Sequence, residues 1–174
     1  MELILTLKII GAAVVSVVAD IAGVVVVPVA LMFTGPQADH LPKMFYWWDN
    51  HEAVYGINGG YAWKREYGDD TNTFWHRFMW TAIRNPAHNF TYYTLGVKDE
   101  NRTLENLQDS TWDDVDTKGG FGMFVIHANG KKYPQIFFHN KWIYARIGWQ
   151  WNSDMDGYCR FSTIAIHSKL NRKR

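Results

Sequence analysis

The chain has 174 residues, of which 18 are Lys or Arg and 17 are Asp or Glu, so its formal charge at pH 7 is +1. This balance excludes the strongly basic surface typical of nucleic-acid-binding proteins, and we expect no nucleic-acid partner. The single cysteine, Cys159, excludes a disulfide within the chain. Its apolar neighbours predict a buried, unreactive thiol.

The first element is an apolar segment whose only charge between Ile9 and Phe33 is Asp20. A membrane-spanning helix needs about 20 apolar residues, and the apolar side chains here outweigh one carboxylate. We therefore predict a single-pass transmembrane helix within residues 1–34 and one soluble domain in residues 35–174. The lipid bilayer is its first expected partner, and the flanking charges leave the orientation open. A cleaved signal peptide is disfavoured, because no small-residue cleavage site follows the segment.

Small residues recur on one side of this segment, and Asp20 borders them. Spacing of this kind lets two membrane helices approach closely, so we expect a homo-oligomer through the N-terminal helix. The predicted interface residues are Ala12, Ser16, Ala19, Asp20 and Gly23. A single tilted anchor with a neutral Asp20 and a re-entrant hairpin near residues 19–23 are the alternatives.

The next elements are an aromatic cluster and a short helix. Residues 44–48 belong either to the membrane interface or to a core. The spacing over 73–84 predicts a helix that ends at Asn85, because the residue before a proline leaves the helical region. Its predicted apolar face is Phe74, Trp75, Phe78, Met79, Ala82 and Ile83. Arg77 and Arg84 are predicted on the opposite face, towards solvent or lipid phosphates, and with Asn85 they are our candidate functional residues.

The C-terminal half predicts an antiparallel meander with strands at 121–128, 131–139, 142–151 and 158–167. Asn129-Gly130 is a strong hairpin signal, and Pro134 indicates an edge strand or a bulge. Residues 97–118 are the part expected to be least ordered. The fold class is therefore α+β, with an N-terminal transmembrane helix before a small domain that combines the meander with one or two helices.

Candidate chemistry is weak throughout the chain. Residues 152–157 resemble half of a calcium loop, but Thr163 occupies the position that needs a glutamate, which favours a hairpin turn. His127, His139 and His167 fall near strand ends without the spacing of a zinc site. We expect no metal, no cofactor and no catalytic residue, and therefore binding rather than catalysis.

A set of short motifs extends over most of the chain: Leu41-Pro42, Trp47-Trp48-Asp49-Asn50, Gly59-Gly60, Trp63, Arg77-Phe-Met-Trp80, Arg84-Asn85-Pro86-Ala-His-Asn-Phe90 and Gly148-Trp149. Together they resemble an uncharacterised family of small membrane-associated proteins of tailed bacteriophages. The resemblance implies a place at the host inner membrane, where a host or phage membrane protein would be the partner, and it implies no activity. The expected function is therefore membrane-anchored binding; a virion structural or DNA-delivery component and a membrane-tethered cell-wall hydrolase are the alternatives.

Overall fold

The computed structural model describes residues 3–35, 38–50, 54, 73–109, 111–140, 143–151 and 157–168. The fold class is α+β, as predicted: a long apolar N-terminal helix precedes an antiparallel five-stranded sheet and several short helices. The chain forms two compact units, one of Met1–Val15 with Leu95–Arg174 and one of Ser16–Thr94. These units are defined by contacts between residues. The predicted division into a membrane segment, residues 1–34, and a soluble domain, residues 35–174, depends instead on whether lipid or water surrounds each part, and it stays a prediction.

Helix α1 runs from Leu3 to Met32 and contains Pro28. Thirty residues at 1.5 Å each give it a length of about 45 Å. It is long and apolar enough to cross a membrane, and a core helix or a signal sequence would satisfy the same criteria. One face of α1 is buried against the rest of the chain and the other face is exposed.

Three short helical segments belong to the unit Ser16–Thr94. A 3-10 helix covers Lys43–Trp48. Helix α2, Phe74–Phe78, begins at the predicted cap, since the side chain of Thr73 accepts a hydrogen bond from the backbone N–H of His76. It continues as a π-helix over Met79–Arg84, and a second π-helical turn covers Phe90–Thr94.

The apolar face predicted for residues 73–84 is only partly correct. Phe74, Trp75 and Ile83 are exposed, whereas Arg77 and Trp80 are buried. The buried face at the start of this helix includes polar side chains, His76, Arg77 and Thr81, and Arg77 is compensated there by donating to the carbonyls of Gly35 and Ala38. The π-helical turn follows, and in it the backbone N–H of Asn85 donates to the carbonyl of Trp80 at 3.1 Å. Selecting the face by its apolar side chains therefore assigned the wrong side chains to the core.

The five-stranded sheet has the order β2-β3-β4-β5-β7, and β1 pairs with β6 in a separate two-stranded ladder. The strands are β1 Val97–Lys98, β2 Thr103–Asn106, β3 Gly120–Ala128, β4 Lys131–His139, β5 Ile143–Trp149, β6 Tyr158–Cys159 and β7 Phe161–Ser168. The first three predicted strands of the meander are present, the fourth is divided into β6 and β7, and the predicted hairpin turn joins β3 to β4. Asn129 and Gly130 both have positive φ, 49° and 70°, as a type I′ turn requires.

Of the two alternatives predicted for Pro134, the edge strand is wrong, because β4 is the central strand of the sheet, whereas a bulge-like register irregularity does lie beside it in β5. Proline is tolerated there because the β4–β5 ladder ends at the pair Gln135–Gly148, next to a register irregularity between Arg146 and Gly148. At Gly148, where φ is 108°, a side chain would overlap the carbonyl oxygen of Pro134. A glycine at 148 therefore permits the close approach of the two backbones at Pro134.

The expectation that residues 97–118 lack order is also wrong. Strands β1 and β2 lie there, followed by helix α3, Trp112–Lys118. The side chain of Thr111 caps α3 by accepting from the backbone N–H of Asp114 at 3.1 Å. Trp112 and Val115 of α3 then pack in a buried cluster with Phe124 and Phe137.

Candidate functional site

One face of α1 is exposed and entirely apolar in the described part of the chain. Its large exposed side chains recur at intervals that return to the same side of the helix every three or four residues. Val25 is 70% exposed and Ile21 is 65% exposed. The complete set is Leu3, Ile4, Leu7, Ile10, Val14, Val15, Val17, Val18, Ile21, Val24, Val25, Val29 and Met32. A continuous apolar surface of this length is typical of a site that contacts lipid or protein.

The opposite face of α1 packs on the chain itself. Within Ser16–Thr94, Val27, Ala30 and Leu31 are buried in a cluster with Leu41, Val54 and Ala82. Within the other unit, Ile9 is buried with the β-sheet residues Ile126, Trp149 and Phe161. The ammonium of Lys8 donates to the carbonyl of Lys132 at 2.9 Å.

The small residues of the predicted helix interface lie on this packed face. Ser16, Ala19 and Gly23 are buried, and Ala12 packs against the sheet core, while Asp20 is half-buried beside them. The indole N–H of Trp48 donates to the carbonyl of Ala19 at 2.9 Å, and a side chain at Gly23 would collide with the same indole. Small residues do permit close approach here, but to an aromatic residue of the same chain. An interface between two copies of the helix stays a prediction.

Some residues of the aromatic cluster at 44–48 are buried in a core and others are exposed, so the cluster combines features of the two predicted roles, core and membrane interface. Trp48 packs against α1, and Phe45 packs against the apolar cluster around Val27. Met44, Tyr46 and Trp47 are exposed. The first group forms core, and the second is available to a ligand or a membrane interface.

Two sequence motifs that are about 40 residues apart meet beside this cluster. The backbone N–H of Asn89 donates to the carbonyl of Asp49 at 3.2 Å, and the ring of Phe90 contacts that of Trp47 at 5.3 Å between centroids. Ala87 has a φ of 41°, a left-handed conformation that is uncommon for a residue with a side chain. This turn follows Pro86 and directs the chain back towards Asp49. The motifs 47–50 and 84–90 therefore form one local structure.

A cavity of about 360 Å³ opens at this junction. Its described lining residues are His40, Tyr46, Asp49, Asn89 and Tyr93. The rings of Tyr46 and Tyr93 stack with centroids 6.0 Å apart and form an aromatic wall. Both tyrosines are partly exposed, so the wall is accessible from solvent.

Asp49 is the only carboxylate among the described lining residues of this cavity, and it is buried. Its side chain accepts from the backbone N–H of Leu41 at 3.1 Å and contacts Nδ1 of His40 at 3.1 Å. Burial raises the pKa of Asp49 above its usual value, while the hydrogen bonds from Leu41 and Asn50 and the contact with His40 oppose that rise. A buried carboxylate of this kind gains from a nearby positive charge.

Asn89 is a second buried polar residue in the lining of the same cavity. The residue is 4% exposed, and its side-chain oxygen has no hydrogen-bond partner among the described residues. A buried acceptor without a partner costs roughly 1–3 kcal/mol. A ligand that donates a hydrogen bond to this oxygen would recover that cost.

Comparison with protein-family models matches residues 1–174 to a family of unknown function (DUF7338). The chain belongs to the DUF7338 family. No curated protein and no solved structure matches it.

Of the three candidate functional residues of this DUF7338 protein, Arg77 differs from what the sequence predicted. Arg77 is buried, and its Nη2 donates to the carbonyls of Gly35 and Ala38 at 3.2 and 3.1 Å. Its predicted position facing solvent or lipid is therefore wrong. Arg84 is exposed as expected, and Nδ2 of Asn85 donates to the carbonyl of Trp80 at 3.2 Å, which stabilises the end of the π-helix.

Two of the histidines considered as metal ligands, His127 and His139, do not meet, and the side chain of His167 lies outside the described part of the structure. In the β3–β4 ladder His127 pairs with Lys132, whereas His139 pairs with Gly120, which places the two histidines about 23 Å apart along the strands. His127 contacts Glu105 at 2.6 Å, and His139 Nδ1 donates to the carbonyl of Val115. Among the described residues, no three His, Cys, Asp or Glu side chains form a metal-binding group. Most of the loop at 152–157 lies outside the described residues.

Cys159 is fully buried in the sheet core of this DUF7338 protein, as predicted. Burial raises the pKa of its thiol to about 11, so the reactive thiolate is scarce at neutral pH.

The sequence did not identify the cavity residues as candidate functional residues. Two of them, Asp49 and Asn89, nevertheless belong to the motifs 47–50 and 84–90 that carry the family resemblance. Sequence alone gave no means of knowing that these two motifs touch.

Proposed function

We propose that this protein is a membrane-attached binding protein that retains α1 and places its exposed apolar face in lipid. The observation that supports this is the one-sided burial of α1. Fully burying a Val, Leu or Ile side chain contributes about 1.5–3 kcal/mol, so roughly half-exposed side chains contribute about 1 kcal/mol each. Thirteen of them on one face contribute roughly 13 kcal/mol, which exceeds the contribution of a single acyl anchor.

Retention of α1 follows from its packed face. Val27, Ala30 and Leu31 form half of a buried apolar cluster, with Leu41, Val54 and Ala82 as the other half. Cleavage of α1 as a signal peptide would expose that second half to water. The intact mass of the purified protein tests this point, and a mass lacking the first 30 or so residues would contradict it.

We further propose that α1 lies along the membrane surface instead of crossing the bilayer. Lys8 donates to the hairpin carbonyl of Lys132 beside the exposed Lys131. A helix that crossed the bilayer with this contact intact would bring hairpin charges into hydrocarbon, which is costly. The single-pass helix predicted from sequence is the alternative, and it requires this contact to break.

Labelling of the two helix ends distinguishes these arrangements. Leu3→Cys and Met32→Cys, each in a Cys159→Ala background, place thiols at exposed ends of α1. A membrane-impermeant maleimide applied to intact spheroplasts should label both or neither if α1 lies along the surface. Labelling of one end alone indicates a spanning helix.

Membrane attachment itself is tested by a charged variant of the exposed face. Val14→Asp, Val18→Asp, Ile21→Asp and Val25→Asp together place four carboxylates on the exposed face, which makes its contact with lipid unfavourable. The wild type should sediment with membranes and resist an alkaline wash, and the variant should be soluble with an unchanged circular dichroism spectrum. The matched control replaces three exposed apolar residues of the sheet with Ser: Phe121, Phe138 and Ile143. A wild type that is soluble and monomeric without detergent would contradict the proposal.

The resemblance to tailed-bacteriophage proteins supports the host inner membrane as the site of action, with a host or phage membrane protein as partner. Fractionation of infected cells tests this placement. Recovery in the inner membrane is the expected result, whereas recovery in purified particles would favour the virion or DNA-delivery role.

A further inference from the structure

We propose that the cavity between residues 40–49 and 89–93 binds a primary ammonium group. The wall that supports this consists of one buried carboxylate, one buried amide oxygen and two stacked aromatic rings: Asp49, Asn89, Tyr46 and Tyr93.

The polar atoms at the cavity are mostly acceptors. Asp49 accepts from the backbone N–H groups of Leu41 and Asn50 and contacts Nδ1 of His40 at 3.1 Å, so an ammonium group would share this carboxylate with His40. The side-chain oxygen of Asn89 is buried and accepts no hydrogen bond from the described residues. An ammonium group has three N–H donors and one positive charge, so it satisfies both acceptors and compensates the buried carboxylate.

The aromatic wall favours an organic cation over a bare metal ion. A cation within about 6 Å of a tyrosine ring is attracted to its face, and Tyr46 and Tyr93 both line the cavity. The cavity volume of about 360 Å³ fits a small organic group and greatly exceeds a single ion.

Two sources could supply this group: a free small amine or the headgroup of an aminophospholipid. The cavity is near α1, because Trp48 of the 3-10 helix donates to Ala19 of α1. Binding of a lipid headgroup would require α1 to contact the membrane. Binding of a free amine at the same site would not.

The test is calorimetric titration of the detergent-purified full chain with ethanolamine. Ethylene glycol, which replaces the ammonium with a hydroxyl, and choline, which has no N–H donor, are the comparison ligands. Ethanolamine should bind at least about tenfold more tightly than either, because charge-assisted hydrogen bonds contribute most of the affinity. Equal heats for all three ligands would overturn the proposal.

Variants separate binding from folding. Asn89→Leu removes a buried acceptor that lacks a described partner, so it should leave the melting temperature equal or higher while weakening ethanolamine binding at least about fivefold. Asp49→Asn should weaken binding more than Asp39→Asn, the matched control at an exposed carboxylate. Tyr46→Leu should weaken binding, and Tyr46→Phe should preserve it. Unchanged affinity in both Asn89→Leu and Asp49→Asn would overturn the site.

Native mass spectrometry of protein extracted from membranes that contain phosphatidylethanolamine identifies the source. Bound phosphatidylethanolamine in the wild type and its loss in Asn89→Leu indicate the headgroup. Ethanolamine binding without bound lipid indicates a free amine. The membrane sedimentation of the four-Asp variant is a separate measurement, so failure of the ammonium site and failure of membrane attachment are distinguishable.

Discussion

Of two valines of α1 that are two residues apart, only one should lose stability when it is truncated to alanine. Val27 is fully buried in the cluster with Leu41 and Ala82, whereas Val25 is 70% exposed. Val27→Ala removes two buried carbons, which costs about 1.6 kcal/mol of transfer free energy and about 1 kcal/mol for the cavity. The higher helix propensity of alanine returns about 0.5 kcal/mol, so the net loss is about 2 kcal/mol. For Val25→Ala, the loss of about 0.5 kcal/mol is offset by the same gain in propensity.

The assay is thermal unfolding of the protein in mild detergent, followed by tryptophan fluorescence. A loss of 2 kcal/mol should lower the melting temperature by about 4–8 °C in Val27→Ala. Val25→Ala should melt within about 2 °C of the wild type. Equal shifts in the two variants would refute the assignment of a packed face and a bare face to α1.

Further predictions concern the side chains that the structure places in specific contacts. Arg77→Met should cost about 3 kcal/mol in a denaturant titration, because two carbonyls lose a charged donor, whereas Arg84→Met at an exposed position should change stability by less than about 0.5 kcal/mol. Thr111→Ala should cost about 1 kcal/mol, because α3 loses its N-cap. The hydrogen bond from Lys118 holds the pKa of Asp114 at about 2, below its ordinary value of 3.8, so its stabilising effect is complete above pH 4 and declines as the pH falls towards 2; Asp114→Asn should flatten the melting temperature over that interval. Cys159 should resist a thiol reagent at pH 8 in the folded protein and react fully in guanidinium, and rapid labelling of the native state would contradict its burial.

The elements that depend on short-range signals were predictable from sequence. Asn129-Gly130 specifies a type I′ turn by its backbone preferences alone, and alternation of apolar residues located the strands on either side. The long apolar run located α1 for the same reason. Such patterns involve only residues that are close in sequence. They therefore predict secondary-structure elements but not the tertiary contacts between them.

The errors arose where tertiary contacts override local pattern. Arg77 appeared solvent-facing at helical spacing, yet its guanidinium is buried against the carbonyls of Gly35 and Ala38, about 40 residues away. Pro134 occupies a central strand because Gly148 permits a close backbone approach. Neither contact has a signature within a window of sequence. The cap Thr111-x-x-Asp114 was a readable signal for α3 that the polar composition of the region obscured.

The candidate site was predictable only in part for the same reason. The motifs that contain Asp49 and Asn89 were recognised, but their meeting depends on the turn at Ala87 and on a backbone hydrogen bond between the motifs. The small residues of α1 were predicted to form an interface between two helices, and that interface stays a prediction. Their partner in the structure is Trp48 of the same chain, a contact that helix spacing cannot distinguish from a second helix.

The most direct test of lipid contact by α1 is a spin-label scan of the helix in vesicles. Single cysteines at Val14, Val18, Ile21 and Val25, in a Cys159→Ala background, should carry labels that relax strongly with oxygen and weakly with a water-soluble nickel complex. A label at Ala30, on the packed face, should be shielded from both reagents or should lower the melting temperature. Strong relaxation by the nickel complex along Val14–Val25 would show that the face is in water, and it would contradict membrane attachment through α1.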